Sequence, residues 1–427
     1  MALTSLYSGL SGLNANALQL SLIGNNLANV NTPGFKSSTA SFQDLLSQTL
    51  TGGSSAGNIN FLQVGLGVTA AATNQNFSQG SLQSTGISTN VAIQGEGFFI
   101  VKGDQGVNYT RAGDFHIDAS GNLVTSDGAL VQGYTQKDPL TNKIITSGTL
   151  DNINIPPGTL FPPISTTLVR VIANLDANAI DGTNFTSSVR IYDSLGAGHQ
   201  VNFTWTKTGV GTYNYDVTID GGEVTGGTPG TPFSLLAAPG TMTFDNTGAL
   251  VQVDGAAAAD AAITTPIFSN GASALTFTWD LVNPDGTTSV TSYAAPSATS
   301  SSTQNGFPPG TLSSVVIGGD GTIQGIFSSG KTAELARLAL ATFNNPGGLL
   351  KMGSNRYNVS ISSGEPSVGV AGEGGRGSTA GSTLELSNVD MASEFINMIV
   401  AQRGYQANSK MITTTDEILQ DAINLKR

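Results

Sequence analysis

The chain has 427 residues, enough for about three domains, and a formal net charge of −12 at pH 7. Only 11% of its residues are charged, and 54 are glycine. A nucleic-acid interface or a contact with an anionic membrane needs clustered lysine and arginine, which an acidic chain of this kind does not supply. The absence of cysteine and the presence of only two histidines argue against disulfides, thiolate catalysis and the common zinc sites.

The first 35 residues contain no charged side chain, and Lys36 is the first. A secretory signal peptide would carry a basic segment and then an unbroken apolar run, whereas polar residues interrupt every such run here. The sequence also contains no stretch of about 20 mainly apolar residues, the length that a membrane span needs. We therefore expect that the protein, if it is exported, leaves the cell without cleavage of a signal peptide.

Both ends of the chain are predicted to be helical, because residues that can pack recur at alternating steps of three and four. The amino-terminal seam consists of Leu3, Leu6, Leu10, Leu13, Ala17, Leu20, Gly24 and Leu27. The carboxy-terminal seam consists of Met391, Phe395, Met398, Gln402, Tyr405, Ser409, Ile412, Asp416, Leu419 and Ile423. Pro33 ends the first pattern, and Ser387 with Asp390 resembles a capping box before the second.

The two seams predict that the terminal helices pair with each other. Each glycine inside the first helix costs about 1 kcal/mol relative to alanine, so we expect the helices to become fully ordered only on assembly into a many-helix wall. Two alternatives stay open at this stage. One is an intramolecular hairpin that only tethers the termini, and the other is a helix lying on a membrane surface.

The middle of the chain is predicted to be mainly β. Alternating β-branched and aromatic residues indicate strands at 98–101, 201–206, 275–280 and 357–362. Turns are expected at Asp118, Asp245 and Asp320, each closely followed by glycine. We also predict helices at 331–343 and 41–50, and linkers at 297–311 and 363–383.

These elements indicate a mixed fold with a nested, discontinuous layout, in which a terminal α-helical coiled coil carries mainly β inner and outer domains. The predicted parts are a helical core (1–32 and 384–427), connecting segments (33–75 and 360–383), an inner β domain (76–149 and 306–359) and an outer β domain (150–305). The outer part holds 12 acidic and three basic side chains, which is typical of a solvated, outward-facing domain.

No catalytic, metal-binding or cofactor-binding site is predicted. Glu96 lies between two glycines and is expected to be a turn residue. His116 is expected on the outer face of a strand, and His199 in a loop. Arg111 is expected to form a structural hydrogen-bonded pair. The aspartate–glycine turns lack the glutamate that closes a calcium-binding EF-hand loop.

Three segments resemble the family of bacterial flagellar rod and hook axial proteins. They are residues 5–36, with the motif Asn25–Lys36 that includes Asn29, Asn31, Thr32, Pro33, Gly34 and Phe35, then residues 95–134, and the carboxy-terminal 387–427. The chain length, the outer insert and residues 312–366 are similar to the hook branch of this family rather than to its shorter rod branch.

The resemblance implies a structural subunit that polymerises into a short, curved, hollow tube outside the cell and passes torque from the rod to the filament as a universal joint. It also implies as partners other copies of the chain, the distal rod, the hook cap, the hook–filament junction proteins and the flagellar type III export apparatus. Two alternatives stay open: a distal rod protein that forms a straight, rigid shaft, and a secreted adhesin or β-rich hydrolase whose helical ends are incidental.

Overall fold

The computed structural model of the chain describes residues 2–50, 62–104, 106–139, 141, 143–156, 158–283 and 285–424. Helix α1 (Ala2–Ala28) and helix α2 (Met391–Asn424) lie at the two ends, with strands between them. The predicted mixed fold class, with helical termini around a mainly β middle, is therefore confirmed. Neither of these helices has an apolar window long enough to cross a membrane.

The strands between the helices are short, and most are antiparallel. The first group is β1 (Ser38–Asp44), β2 (Gln48–Leu50), β3 (Leu62–Val64), β4 (Val68–Gln75), β5 (Leu82–Ser84), β6 (Val91–Gln94), β7 (Phe98–Gly103), β8 (Gly106–Thr110), β9 (His116–Ile117), β10 (Leu123–Val124), β11 (Leu130–Tyr134) and β12 (Asp151–Asn152). The second group is β13 (Leu160–Phe161), β14 (Leu168–Asn174), β15 (Asn184–Tyr192), β16 (Gly198–Gly209), β17 (Thr212–Asp220), β18 (Pro232–Ser234), β19 (Gly240–Phe244), β20 (Leu250–Val253), β21 (Ala256–Ala257), β22 (Ala261–Thr264), β23 (Thr276–Trp279), β24 (Val290–Thr291) and β25 (Ala298–Gln304). The third group is β26 (Gly310–Ile317), β27 (Thr322–Phe327), β28 (Thr332–Thr342), β29 (Leu350–Gly353), β30 (Arg356–Asn358), β31 (Ser367–Val370), β32 (Ser378–Gly381) and β33 (Thr383–Glu385).

The described chain forms two compact units. Unit 1 comprises Met1–Pro157, Ser314–Ile326 and Thr332–Arg427, and unit 2 comprises Gly158–Ser313 and Phe327–Lys331, in each case without the residues named above as lying outside the description. Unit 1 therefore contains both helices and is discontinuous in sequence. The finer four-part division expected from the sequence stays a prediction.

Strand β28 is central to the β core of unit 1. Strand β28 pairs with β7, β11 and β31, and β7 continues through β8 and β30 to β29. Phe98 packs edge-to-face against Phe343 and Tyr357 in the core of this sheet, with ring centroids 5.7 and 5.8 Å apart. Such aromatic pairs fix side-chain geometry in addition to burying apolar area.

Unit 2 contains two sheets. One has the order β15-β16-β17-β19-β20-β21, and the other the order β22-β23-β14-β24. Alternate residues of β16 are buried, as the period of a strand with one face on a core requires. Phe203, Trp205 and Trp279 lie fully buried in this core.

The two helices predicted inside the β region are wrong. Residues 332–342 form strand β28, and residues 41–50 contain the end of β1, a three-residue connection and β2. Alanine and leucine favour a helix in isolation. In the fold, however, Leu338, Leu340 and Ala341 are fully buried and β28 has strand partners on both sides, so packing and strand pairing override the propensity.

The predicted linkers at 297–311 and 363–383 are also wrong. The first contains β25, which pairs with β14, and the second contains β31 and β32, which pair with β28 and β6. These segments are rich in serine and glycine and show no clear hydrophobic alternation. Their strands are formed by backbone hydrogen bonds to neighbouring strands, a signal that a reading of side chains does not detect.

Candidate functional site

The two terminal helices pack against each other in antiparallel orientation. Gly9 of α1 faces Ile412 of α2, and the buried side chain of Asn26 donates a hydrogen bond to Glu394 Oε1 at 2.8 Å. A Cβ atom at Gly12 would lie 2.7 Å from the side-chain amide nitrogen of Asn408 in α2. Glycine thus allows the two backbones to approach more closely than larger residues would.

Several residues of α1 that lie against α2 directly precede members of the predicted seam. They are Gly9, Gly12, Asn16 and Asn26, each one residue before a member of the predicted seam. One residue corresponds to a rotation of about 100° around a helix. The role expected for the leucine seam stays a prediction.

The predicted seam residues of α1 have different surroundings. Leu6, Leu13, Leu20 and Leu27 are half-buried, and Leu10 is exposed. The side chain of Leu3 lies outside the described residues. A Cβ atom at Gly24 would meet no atom within 4 Å, so close approach at this glycine, as the seam implied, does not occur within the chain.

The predicted seam residues of α2 differ in exposure along the helix. Met398, Ile412 and Leu419 are half-buried, whereas Met391, Phe395, Tyr405 and Ile423 are exposed. Near its amino-terminal end, α2 also presents an exposed apolar surface, which we call the α2 outer face. Its members and their exposed fractions are Phe395 (53%), Ile396 (63%), Ile399 (53%) and Val400 (62%).

Asp390 is the residue that caps the amino terminus of α2. Its Oδ1 accepts hydrogen bonds from the backbone amides of Ala392 at 2.9 Å and Ser393 at 3.4 Å. The Ser393 hydroxyl and these amides lower the pKa of Asp390. The predicted capping box, with Ser387 as the cap, is wrong because Ser387 accepts only from the Val389 amide, before the helix begins.

A buried ion cluster is formed by residues that lie between α1 and α2 along the chain. Glu385 Oε1 accepts hydrogen bonds from Lys36 Nζ at 2.6 Å and from the Gly80 amide at 2.9 Å. Its Oε2 accepts a hydrogen bond from Arg111 Nε at 3.1 Å. We call Lys36, Arg111 and Glu385 the ion cluster, and the structural pair predicted for Arg111 is confirmed.

The cations of the ion cluster also bind backbone carbonyls. Lys36 Nζ donates to the Ser78 oxygen at 2.7 Å, and Arg111 Nη1 donates to the oxygens of Gly95 and Gly97 at 2.9 and 2.6 Å. Burial lowers the pKa of Lys36, and the adjacent Glu385 carboxylate opposes this shift. Because all three side chains are buried, removal of the Glu385 carboxylate would leave two uncompensated cations, and breaking a buried pair in this way typically costs about 3–5 kcal/mol.

The predicted motif connects α1 to the ion cluster. Asn29 donates to the Asn25 oxygen at 2.9 Å, and Thr32 Oγ1 donates to Asn29 Oδ1 at 3.2 Å. Asn31 is exposed. The Gly34 amide donates to the backbone oxygen of Glu385 at 2.8 Å.

The rest of the motif is held by strands of unit 1. The Pro33 oxygen accepts a hydrogen bond from Asn355 Nδ2 at 2.9 Å. Phe35 is buried, and Lys351 Nζ lies 4.5 Å from the centre of its ring. The sequence does not predict an ion pair for Glu385 or Lys36. The position of Lys36, the first charge after 35 uncharged residues, was the available signal for it.

The remaining candidates have structural surroundings. Glu96 is an exposed bend residue and His116 an exposed strand residue, as predicted. His199 is not in a loop but is buried in β16, with Nε2 3.0 Å from Asp193 Oδ2 and Nδ1 2.9 Å from Glu223 Oε2. Among the described residues, no group of three or more potential metal ligands is arranged to hold an ion.

Four family models match the chain. By their descriptions they are a flagella basal body rod protein (residues 6–36), a flagellar hook protein FlgE/F/G D1 domain (92–171), a flagellar basal body protein FlaE D2 domain (164–307) and a flagellar basal body rod FlgEFG protein C-terminal region (380–425). The first and last contain α1 and α2, and the third covers most of unit 2.

Curated relatives agree with these matches. The chain is 36% identical to the flagellar hook protein of Treponema pallidum over 99% of each chain, and 37% identical to that of Escherichia coli over 97% of this chain and 98% of the relative. It is 29% identical to a flagellar basal-body rod protein of Bacillus subtilis over the full length of both. These relatives are structural proteins of the flagellum. The chain therefore belongs to the flagellar hook protein family and is a structural subunit of the bacterial flagellar hook.

Proposed function

We propose that the chain polymerises through its terminal helices into a short, curved, hollow tube that acts as a universal joint between rod and filament. The observation that carries this proposal is the α2 outer face, which leaves four large apolar side chains more than half exposed. Contiguous exposed apolar surface on a protein generally marks a contact with a partner. The partner proposed here is the helix pair of other copies.

The energy available from the α2 outer face supports this proposal. Burying one side chain of this size yields about 1.5–3 kcal/mol, so covering the exposed half of four of them contributes roughly 3–6 kcal/mol per subunit. Over part of its length α1 also presents the exposed side chains of Tyr7 and Leu10. A many-helix wall would cover both surfaces, whereas an isolated pair leaves them in water.

The remaining partners follow from membership of the family. We propose that the tube joins the distal rod at one end and the hook cap and hook–filament junction proteins at the other. Subunits would travel unfolded through the flagellar type III export apparatus and assemble outside the cell, without cleavage of a signal peptide. The uncharged and glycine-containing α1, which is a weak helix former by itself, suits transport in an unfolded state.

The test is negative-stain electron microscopy of the full chain after salt-induced polymerisation. Wild type is expected to form curved hollow tubes, and a variant with Phe395→Asp and Ile399→Asp is expected to stay monomeric. Ile361→Asp, at a fully exposed isoleucine outside the helices, is the matched control and should polymerise. Normal tubes from the double variant would contradict the role of the α2 outer face.

The predicted leucine seam is tested in the same assay. Leu13→Asp and Leu20→Asp are expected to block polymerisation while the β strands of unit 1 and unit 2 stay folded. Normal tubes from these variants would show that the leucine face makes no contact between subunits.

A distal rod subunit is the second candidate function. The similarity to the rod protein of Bacillus subtilis over the full length of both chains supports this second candidate. The same micrographs distinguish the two, because a rod subunit would give straight tubes and a hook subunit curved ones.

A further inference from the structure

We propose that the ion cluster fixes the orientation of the terminal helix pair relative to the β strands of unit 1, and that Glu385 is the positioning residue of the cluster. This inference rests on the proposed function, because orientation matters only if the helices assemble with other copies.

The first support is that one carboxylate connects distant parts of the chain. Lys36 follows α1 by eight residues, Arg111 follows β8, and Glu385 precedes α2 by six residues. Lys36 and Glu385 are fully buried, and the Arg111 side chain is 4% exposed. Two of the three segments that carry the family resemblance therefore meet at this point, and Glu385 lies two residues before the third.

The second support is that the cluster also fixes backbone. The Glu385 carboxylate accepts from the Gly80 amide, while its main-chain oxygen accepts from the Gly34 amide at 2.8 Å. Lys36 binds a carbonyl at Ser78, and Arg111 binds two carbonyls at 95–97. A buried network in which every member has several directed bonds specifies one geometry, whereas an apolar contact tolerates sliding.

The third support is the position of the cluster beside the helix ends. In the last turn of α1, Asn26 donates to Glu394 in the first turn of α2 and also to the Ser38 oxygen at 3.0 Å. Asn388 Oδ1 accepts from the Ser37 amide at 2.8 Å, between the cluster and α2. The end of α1 and the start of α2 are thus connected to the same short segment of chain as Lys36.

A positioning role and a role in stability predict different results when the whole ion cluster is replaced by apolar side chains. Replacement of a whole buried ion network by apolar side chains of similar volume is often neutral or stabilising, although removal of a single partner is costly. A variant carrying Lys36→Met, Arg111→Met and Glu385→Leu together should therefore keep the strands of unit 1 folded. It should lose the directed bonds that set the helix orientation.

The experiment measures this orientation in the full-length chain before polymerisation, because the structure pairs α1 with α2 within a single chain, contrary to the expectation that the helices become ordered only on assembly. Because the chain contains no cysteine, Ile418→Cys on α2 and Val107→Cys on β8, both at exposed positions, provide two specific sites for spin labels. Pulsed electron paramagnetic resonance then gives the distance distribution between helix and sheet. The samples are the otherwise unchanged chain, Glu385→Gln, the triple variant, and Glu373→Gln as a control that removes an exposed carboxylate of unit 1.

We expect the distribution to broaden in Glu385→Gln and in the triple variant but not in the control, and regular tubes to be lost from both variants. Amide hydrogen exchange in β7 and β8 of the triple variant should stay as slow as in wild type. An unchanged distribution, or a broadened one with normal tubes, would overturn the proposal. Unfolding of unit 1 in both variants would also overturn it, since the cluster would then serve stability alone. Failure of the wild-type chain to form any tube would instead contradict the proposed function.

Discussion

Gly34→Ala tests most directly whether the motif before the ion cluster depends on backbone geometry. Gly34 has φ +68°, and a Cβ atom there would lie 2.5 Å from the Ala112 amide nitrogen and 2.7 Å from the carbonyl carbon of Arg111. These are backbone atoms, which cannot rotate away as the end of a side chain can. Gly86 is a matched control, since it has φ +71° but no atom within 4 Å of the same position.

The two substitutions share one cost and differ in another. A left-handed conformation costs an L-residue about 1–2 kcal/mol, and this applies to both alanines. At Gly34 the overlap with Ala112 adds the cost of overpacking, about 1–3 kcal/mol. We therefore expect a loss of about 2–5 kcal/mol for Gly34→Ala and about 1–2 kcal/mol for Gly86→Ala.

The assay is urea unfolding of the full chain, followed by hydrogen exchange of the β7 and β8 amides. Both tryptophans, Trp205 and Trp279, belong to unit 2, so tryptophan fluorescence reports that unit separately and should not change. Gly34→Ala should also reduce tube formation, because it displaces the residue next to Arg111. Equal destabilisation by the two alanines would refute the argument from close approach.

The other predictions concern the helix pair and single ionisable groups. Gly12→Val should weaken the helix pair through its overlap with Asn408, whereas Gly24→Val should not, as measured by hydrogen exchange in α2. Burial alone would raise the pKa of Asp193, but hydrogen bonds from an asparagine and a histidine lower it below 3.8 overall. The resulting stability is present above the unfolded-state pKa and is lost as the pH falls through the lower folded-state pKa. Asp193→Asn should therefore lower the urea midpoint of unit 2 by tryptophan fluorescence at pH 7, and the difference should shrink at pH 3. Burial raises the pKa of Tyr357, so Tyr357→Phe should leave the tyrosinate absorbance at pH 11 unchanged.

The sequence predicted those features that depend on local patterns. Residues that recur at alternating steps of three and four predicted both helices, and β-branched alternation predicted strands such as β7 and β16. The aspartate–glycine turns were also predictable, because Asp118 and Asp245 bind the amides that follow them. Three conspicuous motifs pointed to the family, which the relatives then confirmed.

Tertiary structure decided the features that depend on contacts between distant residues. Strand β28 has a helix-favouring composition but becomes a strand because β7, β11 and β31 pair with it. The close approach of α1 and α2 depends on the glycines that face the other helix, which a count of leucines does not detect. Glu385 has nothing unusual in its neighbours along the chain, and only the fold places it between Lys36 and Arg111. Periodicity is a local property that a sequence records by itself, whereas the partner of a buried charge exists only after segments hundreds of residues apart have packed together.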